Sequence, residues 1–270
     1  MPRIKLLLLL IPFFLVTAFF VYDMKKNTVL ICYGKLNPET TKGYDYLILE
    51  SKHYFPSNVR VLKSQNKTVF AYVSLGEVNA NAVHFNDLKK HTLGKNKIWN
   101  SYYLDLKSEE TIETLVRIID EIFAKGYDGL FLDNLDNFTI HGPQKDQKAE
   151  LVGLLKKIKE KYPKKKFIQN AGLDLISETS KYVDLIAIES IASSYDFKSK
   201  SYNLRDKTQF ENGLARLKEV NETYKIPVIL IEYSGSEKLC SQINERIKDS
   251  KFDNFIGNID LQKIPIFKKQ

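Results

Sequence analysis

A chain of 270 residues that is 43% hydrophobic, 12% aromatic and 27% charged can bury one good-sized core, which excludes intrinsic disorder. Two cysteines, Cys32 and Cys240, exclude a disulfide scaffold and a four-cysteine zinc site. Lys+Arg 41 against Asp+Glu 33 gives +8, a balance that invites a nucleic-acid or membrane partner until the positions of the charges are considered.

Arg3 and Lys5 precede an apolar run from Leu6 to Tyr22, which Asp23 and Lys25-Lys26 close. A short cationic start ahead of an apolar stretch reads as an export signal, and Val16-Thr17-Ala18 offers small residues for cleavage. The same run reaches the lower edge of a spanning helix, about 17 residues. Residues 1–26 are therefore expected to be a signal peptide or a membrane anchor, the one membrane contact of an exported chain that is secreted, periplasmic or anchored. Loss of residues 1–18 takes Arg3 and Lys5 with it and lowers the net charge from +8 to +6. Much of what remains lies in lysine runs such as Lys156-Lys157 and Lys164-Lys165-Lys166, without the interleaved aromatics of a nucleic-acid groove. No nucleic-acid partner is expected.

From Val29 onward, short apolar, β-branched or aromatic runs alternate with longer segments of helical period. The predicted strands are Val29–Tyr33, Tyr46–Glu50, Val69–Leu75, Gly129–Leu132, Phe167–Asn170, Leu185–Glu189, Val228–Glu232 and Phe255–Asn258. Their continuous apolar character is that of strands covered on both faces. The clearest helix runs from Glu109 to Lys125, with Ser108 as N-cap and Gly126 as the left-handed C-cap residue. Others cover about Lys148–Tyr162, Thr208–Tyr224 and Glu237–Ser250, while the first α unit, between the first two strands, is degenerate. Eight such units over residues 27–270 predict a single-domain (β/α)8 barrel. A doubly wound sheet would usually carry a glycine-rich phosphate loop after its first strand, and Tyr33-Gly34-Lys35-Leu36 is no such loop.

In a barrel the chemistry sits at the C-terminal ends of the strands. The runs end in Tyr33, in Ser74-Leu75-Gly76-Glu77, in Asp133-Asn134-Leu135-Asp136, in Gln169-Asn170, in Glu189-Ser190 and in Glu232-Tyr233. Asp136 and Ser190 are equally placed to cap a following helix. Asp133 and Glu189 are less easily explained that way, for each abuts a buried run and has no Arg or Lys within four residues. The histidines His53, His84, His91 and His141 are scattered without ligand spacing, no glycine-elbow serine is present, and neither metal nor cofactor is expected. Paired carboxylates in a cleft lined with Tyr and Asn suit glycoside hydrolysis.

The blocks Ala71-Tyr72-Val73-Ser74-Leu75-Gly76-Glu77 and Gly126-Tyr127-Asp128-Gly129-Leu130-Phe131-Leu132-Asp133-Asn134-Leu135-Asp136 carry a family likeness. Tyr33-Gly34, Leu104-Asp105-Leu106, Gln169-Asn170 and Ile188-Glu189-Ser190 support them. From about Val29 to Asp260 the chain resembles the endo-α-1,4-polygalactosaminidase family of (β/α)8 hydrolases that cut amino-sugar polysaccharides. The resemblance implies a polysaccharide or oligosaccharide substrate of α-1,4-galactosamine type, with Asp133 and Glu189 as the catalytic pair. By position Asp133 is expected to be the nucleophile and Glu189 the acid/base, with the roles still interchangeable. Tyr33, Glu77, Asp136, Asn170, Glu232 and Tyr233 are expected to hold sugar hydroxyls or amino groups. Carboxyl groups about 5–5.5 Å apart would mean retention, and about 6.5–9.5 Å inversion. The alternative is an exported glycan-binding barrel without catalysis. The sequence leaves the oligomeric state open.

Overall fold

A computed structural model describes residues 26–267, so the expected signal or anchor at residues 1–26 lies almost wholly outside the described residues. In chain order the first elements are β1 (Val29–Cys32), β2 (Tyr46–Leu49), α1 (Pro56–Gln65) and β3 (Thr68–Ser74). An insertion follows, with β4 (Glu77–Asn79), α2 (Phe85–Leu88), β5 (Thr92–Asn96) and β6 (Ser101–Leu104). Next come α3 (Glu109–Ala124), β7 (Gly129–Asp133), α4 (Lys148–Lys161), β8 (Lys166–Asn170), α5 (Ile176–Thr179) and β9 (Leu185–Glu189). The chain continues through β10 (Ser193–Asp196), β11 (Ser201–Leu204), α6 (Lys207–Tyr224), β12 (Val228–Tyr233), α7 (Glu237–Ile247) and β13 (Asp253–Gly257).

The eight strands predicted from apolar runs form one parallel sheet in the order β1-β2-β3-β7-β8-β9-β12-β13. A parallel bridge between Thr28 and Asn254 brings its two edges together. At that seam the Asn27 backbone N–H and side-chain amide donate to the two Asp253 carboxylate oxygens at 2.7 and 2.8 Å. The result is the nearly closed, single-domain TIM-type barrel that the strand count implied. Its strands are buried almost throughout, as parallel strands covered by helices must be.

The long helix α3 is capped as its sequence predicts. The Ser108 hydroxyl accepts from the Thr111 N–H, and Gly126 stands at φ +103°. Helix α1 is one the apolar pattern did not mark, since it buries only Val59 and Leu62. Two further features were unmarked. A small antiparallel sheet, β4-β6-β5, follows the third barrel strand, and the β10–β11 hairpin follows the sixth. Both stand on the rim where the strands end. Cys32 is buried in β1 and Cys240 lies on α7, and both are free thiols.

Candidate active site

The strand ends open on a cleft of about 1010 Å³ whose walls include Tyr33, Tyr72, Glu77, Asp133, Asn170, Glu189 and Tyr233. Asp133 is the last residue of β7, Asn170 of β8, Glu189 of β9 and Tyr233 of β12. In-register parallel pairing sets Ser74 beside Asp133 and Ile231 beside Glu189, so residues far apart in sequence finish at one level.

One amide links the two carboxylates. Asn170 Nδ2 donates to Asp133 Oδ1 at 2.8 Å and to Glu189 Oε1 at 2.7 Å. Both oxygens are bonded to one nitrogen, so they lie no farther apart than the two bonds laid end to end, about 5.5 Å. The remaining carboxylate oxygens are held by phenols: Tyr72 OH donates to Asp133 Oδ2 at 2.9 Å, and Tyr233 OH donates to Glu189 Oε2 at 2.6 Å. Tyr33 packs its ring on Tyr72 with centroids 4.6 Å apart. The amide orientation of Asn170 follows from charge, since its oxygen turned toward two carboxylates would repel both. That oxygen, Oδ1, is buried and has no hydrogen-bond partner among the described residues.

Burial pushes the carboxyls of both Asp133 and Glu189 above their ordinary range. Against that push, Asp133 receives three donors: Asn170, the Asn134 backbone N–H and Tyr72. Glu189 carries a second upward push from the charge of Asp133 itself. Two donors, Tyr233 and Asn170, act against the push on Glu189, and the charge of Glu77 adds to the push on Asp133, so each carboxyl holds its proton to a higher pH than an exposed one. Burial, with help from the same carboxylates, holds Tyr33, Tyr72 and Tyr233 well above the normal phenol range, so all three remain donors. One ionised carboxylate beside one protonated carboxyl is what an acid-assisted displacement requires.

Residues 24–270 match the family model of glycoside-hydrolase family GH114. The chain belongs to that family. An uncharacterized protein of Deinococcus radiodurans is 23% identical over 152 residues, 54% of this chain and 47% of that protein, so the match spans about half the relative's length. Among solved structures, the glycoside hydrolase domain of PelA from Pseudomonas aeruginosa superposes with TM-score 0.79 at 24% identity, covering 91% of this chain and all of that one. Aspergillus fumigatus Ega3, solved in complex with galactosamine, gives TM-score 0.69 at 16% identity over 87% of this chain and 92% of its own. At these identities the two structures speak for the fold, and the family match carries the GH114 assignment.

The GH114 cleft gathers Tyr33, Glu77, Asp133, Asp136, Asn170, Glu189 and Tyr233, seven of the eight residues expected there. Glu232 does not join them and stands as a correction. It is 0% exposed, and its carboxylate accepts from the backbone N–H groups of Ile191, Ala192 and Ser193 and from the Ser193 hydroxyl. It anchors the start of β10 instead of facing a sugar. Successive residues of a strand point to opposite sides, so Glu232 and Tyr233 could not both reach the mouth. Glu77 borders the cleft but is itself largely buried, tied to Ser101, Asn96 and Asn137. Neither Asp136 nor Ser190 is a helix N-cap. Asp136 lies inside the short 3-10 turn Leu135–Phe138, and Ser190 sits at φ +59° with a strand following. Tyr72 is the residue that strand-end reasoning missed. It lies two positions inside β3 on the same face as Ser74, and its phenol reaches up to Asp133.

Proposed function

We propose that this GH114 chain hydrolyses an amine-bearing, α-1,4-galactosamine-type polysaccharide by double displacement with retention of anomeric configuration. The observation that carries the reading is the Asn170 amide shared by Asp133 and Glu189, which keeps one oxygen of each within about 5.5 Å of the other and so supports retention over inversion. Glu189 gives its proton to the glycosidic oxygen while Asp133 attacks the anomeric carbon, forming a glycosyl ester as the leaving sugar departs. Glu189, now a carboxylate, takes a proton from water. The resulting hydroxide equivalent displaces Asp133, and the sugar leaves as a hemiacetal. Asn170 Oδ1 supplies an acceptor for a hydroxyl or ammonium of the bound sugar. That Ega3 was solved with galactosamine supports an amino sugar as substrate.

The cleft's charge favours the same class of substrate. Seven acidic side chains, Glu189 with its proton among them, border it against two lysines, Lys52 and Lys125. Lys52 is paired with Glu50 at 2.6 Å, and Lys125 is tied to the Ser51 carbonyl at 2.7 Å. On the apolar run Leu6–Tyr22 we place the enzyme outside the cytoplasm, where such polymers lie.

The test is release of reducing ends from an α-1,4-galactosamine polymer. Wild-type protein should release them, and Asp133→Asn and Glu189→Gln should each lose about 10³-fold or more in kcat while still binding polymer. NMR of the first product should show the α-anomer. A β-anomer would remove the retaining assignment, and equal binding by all three proteins with no cleavage by any would leave only a glycan-binding barrel.

A further inference from the structure

The two rim elements outside the barrel meet through exposed aromatic rings. Trp99 lies on the β5–β6 turn and Phe197 on the β10–β11 turn, and their ring centroids are 5.2 Å apart at 87°. Trp99 is 48% exposed and Phe197 45% exposed, although burying such rings is what would stabilise a fold. Trp99 also borders the cleft that holds Asp133 and Glu189. Both turns are tied by side-chain to backbone hydrogen bonds and left-handed residues. Asn79 Nδ2 donates to the Trp99 carbonyl at 2.8 Å, Asn96 Oδ1 accepts from the Ile98 N–H at 3.1 Å, and Asn100 is left-handed at φ +52°. On the other turn Asp196 Oδ1 accepts from the Lys198 and Ser199 N–H groups at 2.8 and 3.2 Å, and Lys200 is left-handed at φ +55°. Behind Phe197, Tyr195 and Tyr202 continue the row with centroid spacings of 5.0 and 4.7 Å.

We propose that Trp99, backed edge-on by Phe197, is the platform of a distal subsite that holds a sugar of the amine-bearing polymer away from the scissile bond. The proposal rests on the reading of the cleft as a polysaccharide hydrolase. An edge-to-face pair leaves ring faces free, and an exposed indole face in a water-filled cleft gains by covering the C–H face of a pyranose. The same face attracts an ammonium group, and tryptophan does so better than the other aromatics. In a cleft already rich in carboxylates, an amine-bearing sugar is the occupant that satisfies both attractions. The third and sixth barrel strands, which carry the two turns, flank β7 and β8, so a chain gripped at Trp99 continues toward Asp133 and Asn170.

Trp99 is the single tryptophan of the chain, so its emission reads this site directly. Saturating Glu189→Gln with galactosamine oligomers should shift that emission, while monomeric galactosamine should not. Trp99→Ala should raise KM for the polymer about tenfold, the reach of one cation–π and stacking contact, and leave kcat within about twofold. The same variant should leave kcat/KM on a short aryl α-galactosaminide within about twofold, and Trp99→Phe should recover most of the loss. Phe197→Ala should move the Trp99 emission of the free protein and raise KM in the same direction. Thermal melts matching wild type show that these turn-tip variants are folded. Equal losses on polymer and aryl substrate, or an unmoved emission and KM in an active enzyme, overturn the subsite and leave the hydrolase reading standing. Polymer that shifts Trp99 emission without any release of reducing ends does the reverse.

Discussion

At the scale of single residues, what sets this site apart is how its two carboxylates are told apart. Both are pushed up by burial, and their surroundings differ: Asp133 has three donors against the charge of Glu77, and Glu189 has two against the charge of Asp133. The proposed mechanism needs Asp133 ionised and Glu189 protonated, so the pH profile of activity should be a bell, with Asp133 on the acid limb and Glu189 on the alkaline limb. Tyr72→Phe removes one donor from the Asp133 carboxylate and no part of the barrel core. A donor to the charged form lowers a pKa, so its loss raises that of Asp133 and moves the acid limb to higher pH, with kcat down about tenfold at the former optimum. The alkaline limb should stay where it was. A pH–kcat profile in which both limbs move together, or neither does, would show Tyr72 to be packing alone.

At the scale of elements, the corner from β3 into β4 sets the position of the turn that follows Asp133. Gly76 has no left-handed φ to explain it; its reason is contact. A Cβ there would stand 2.7 Å from the Asn134 carbonyl oxygen and 3.0 Å from Asn137 Nδ2. Asn134 is itself left-handed, at φ +61°, and directly follows Asp133. Gly76→Ala therefore pushes the strand end that carries Asp133, the proposed nucleophile. Its expected effect is a loss of about 10²-fold in kcat, the cost of an ångström-scale misplacement, with little change in thermal unfolding. A large fall in melting temperature with kcat preserved in the surviving enzyme would place the strain elsewhere. The barrel elements were legible in sequence because each strand is a continuous apolar run and each long helix has a buried stripe. The rim was not. Thr92–Asn96 is largely exposed, Glu77–Asn79 is three residues long, and Ser193–Asp196 has only Ser193 fully buried, so none shows a core period. Strand-end reasoning found Asp133, Asn170, Glu189 and Tyr233. It had no means of knowing that Glu232 points the other way, because an all-apolar strand shows no alternation by which to choose a face.

At the scale of the whole molecule, the net charge of +8 and the charge of the cleft have opposite signs. Most of the lysines that set the total are exposed, on loops as well as on outer helices, and two of them pair (i, i+4) with glutamates, Lys156–Glu160 and Lys207–Glu211, where solvent screens them. The cleft is lined mainly by acidic side chains, and low-dielectric walls concentrate such a field toward an incoming chain. A cationic galactosamine polymer should thus be drawn past a basic exterior into an acidic mouth. This predicts that KM for the free-amine polymer rises several-fold as ionic strength goes from about 0.01 to about 0.15 M, where the Debye length shrinks from about 30 to about 8 Å. A fully N-acetylated polymer of the same linkage has no charge to screen, so its KM should start higher and hardly respond to salt. Raising the pH until the sugar amines lose their protons should bring the free-amine polymer to the same behaviour. Steady-state kinetics on both polymers across the salt series distinguishes the cases. Equal, salt-independent KM values would mean that the carboxylates of the mouth serve geometry and catalysis, and that selection rests on shape.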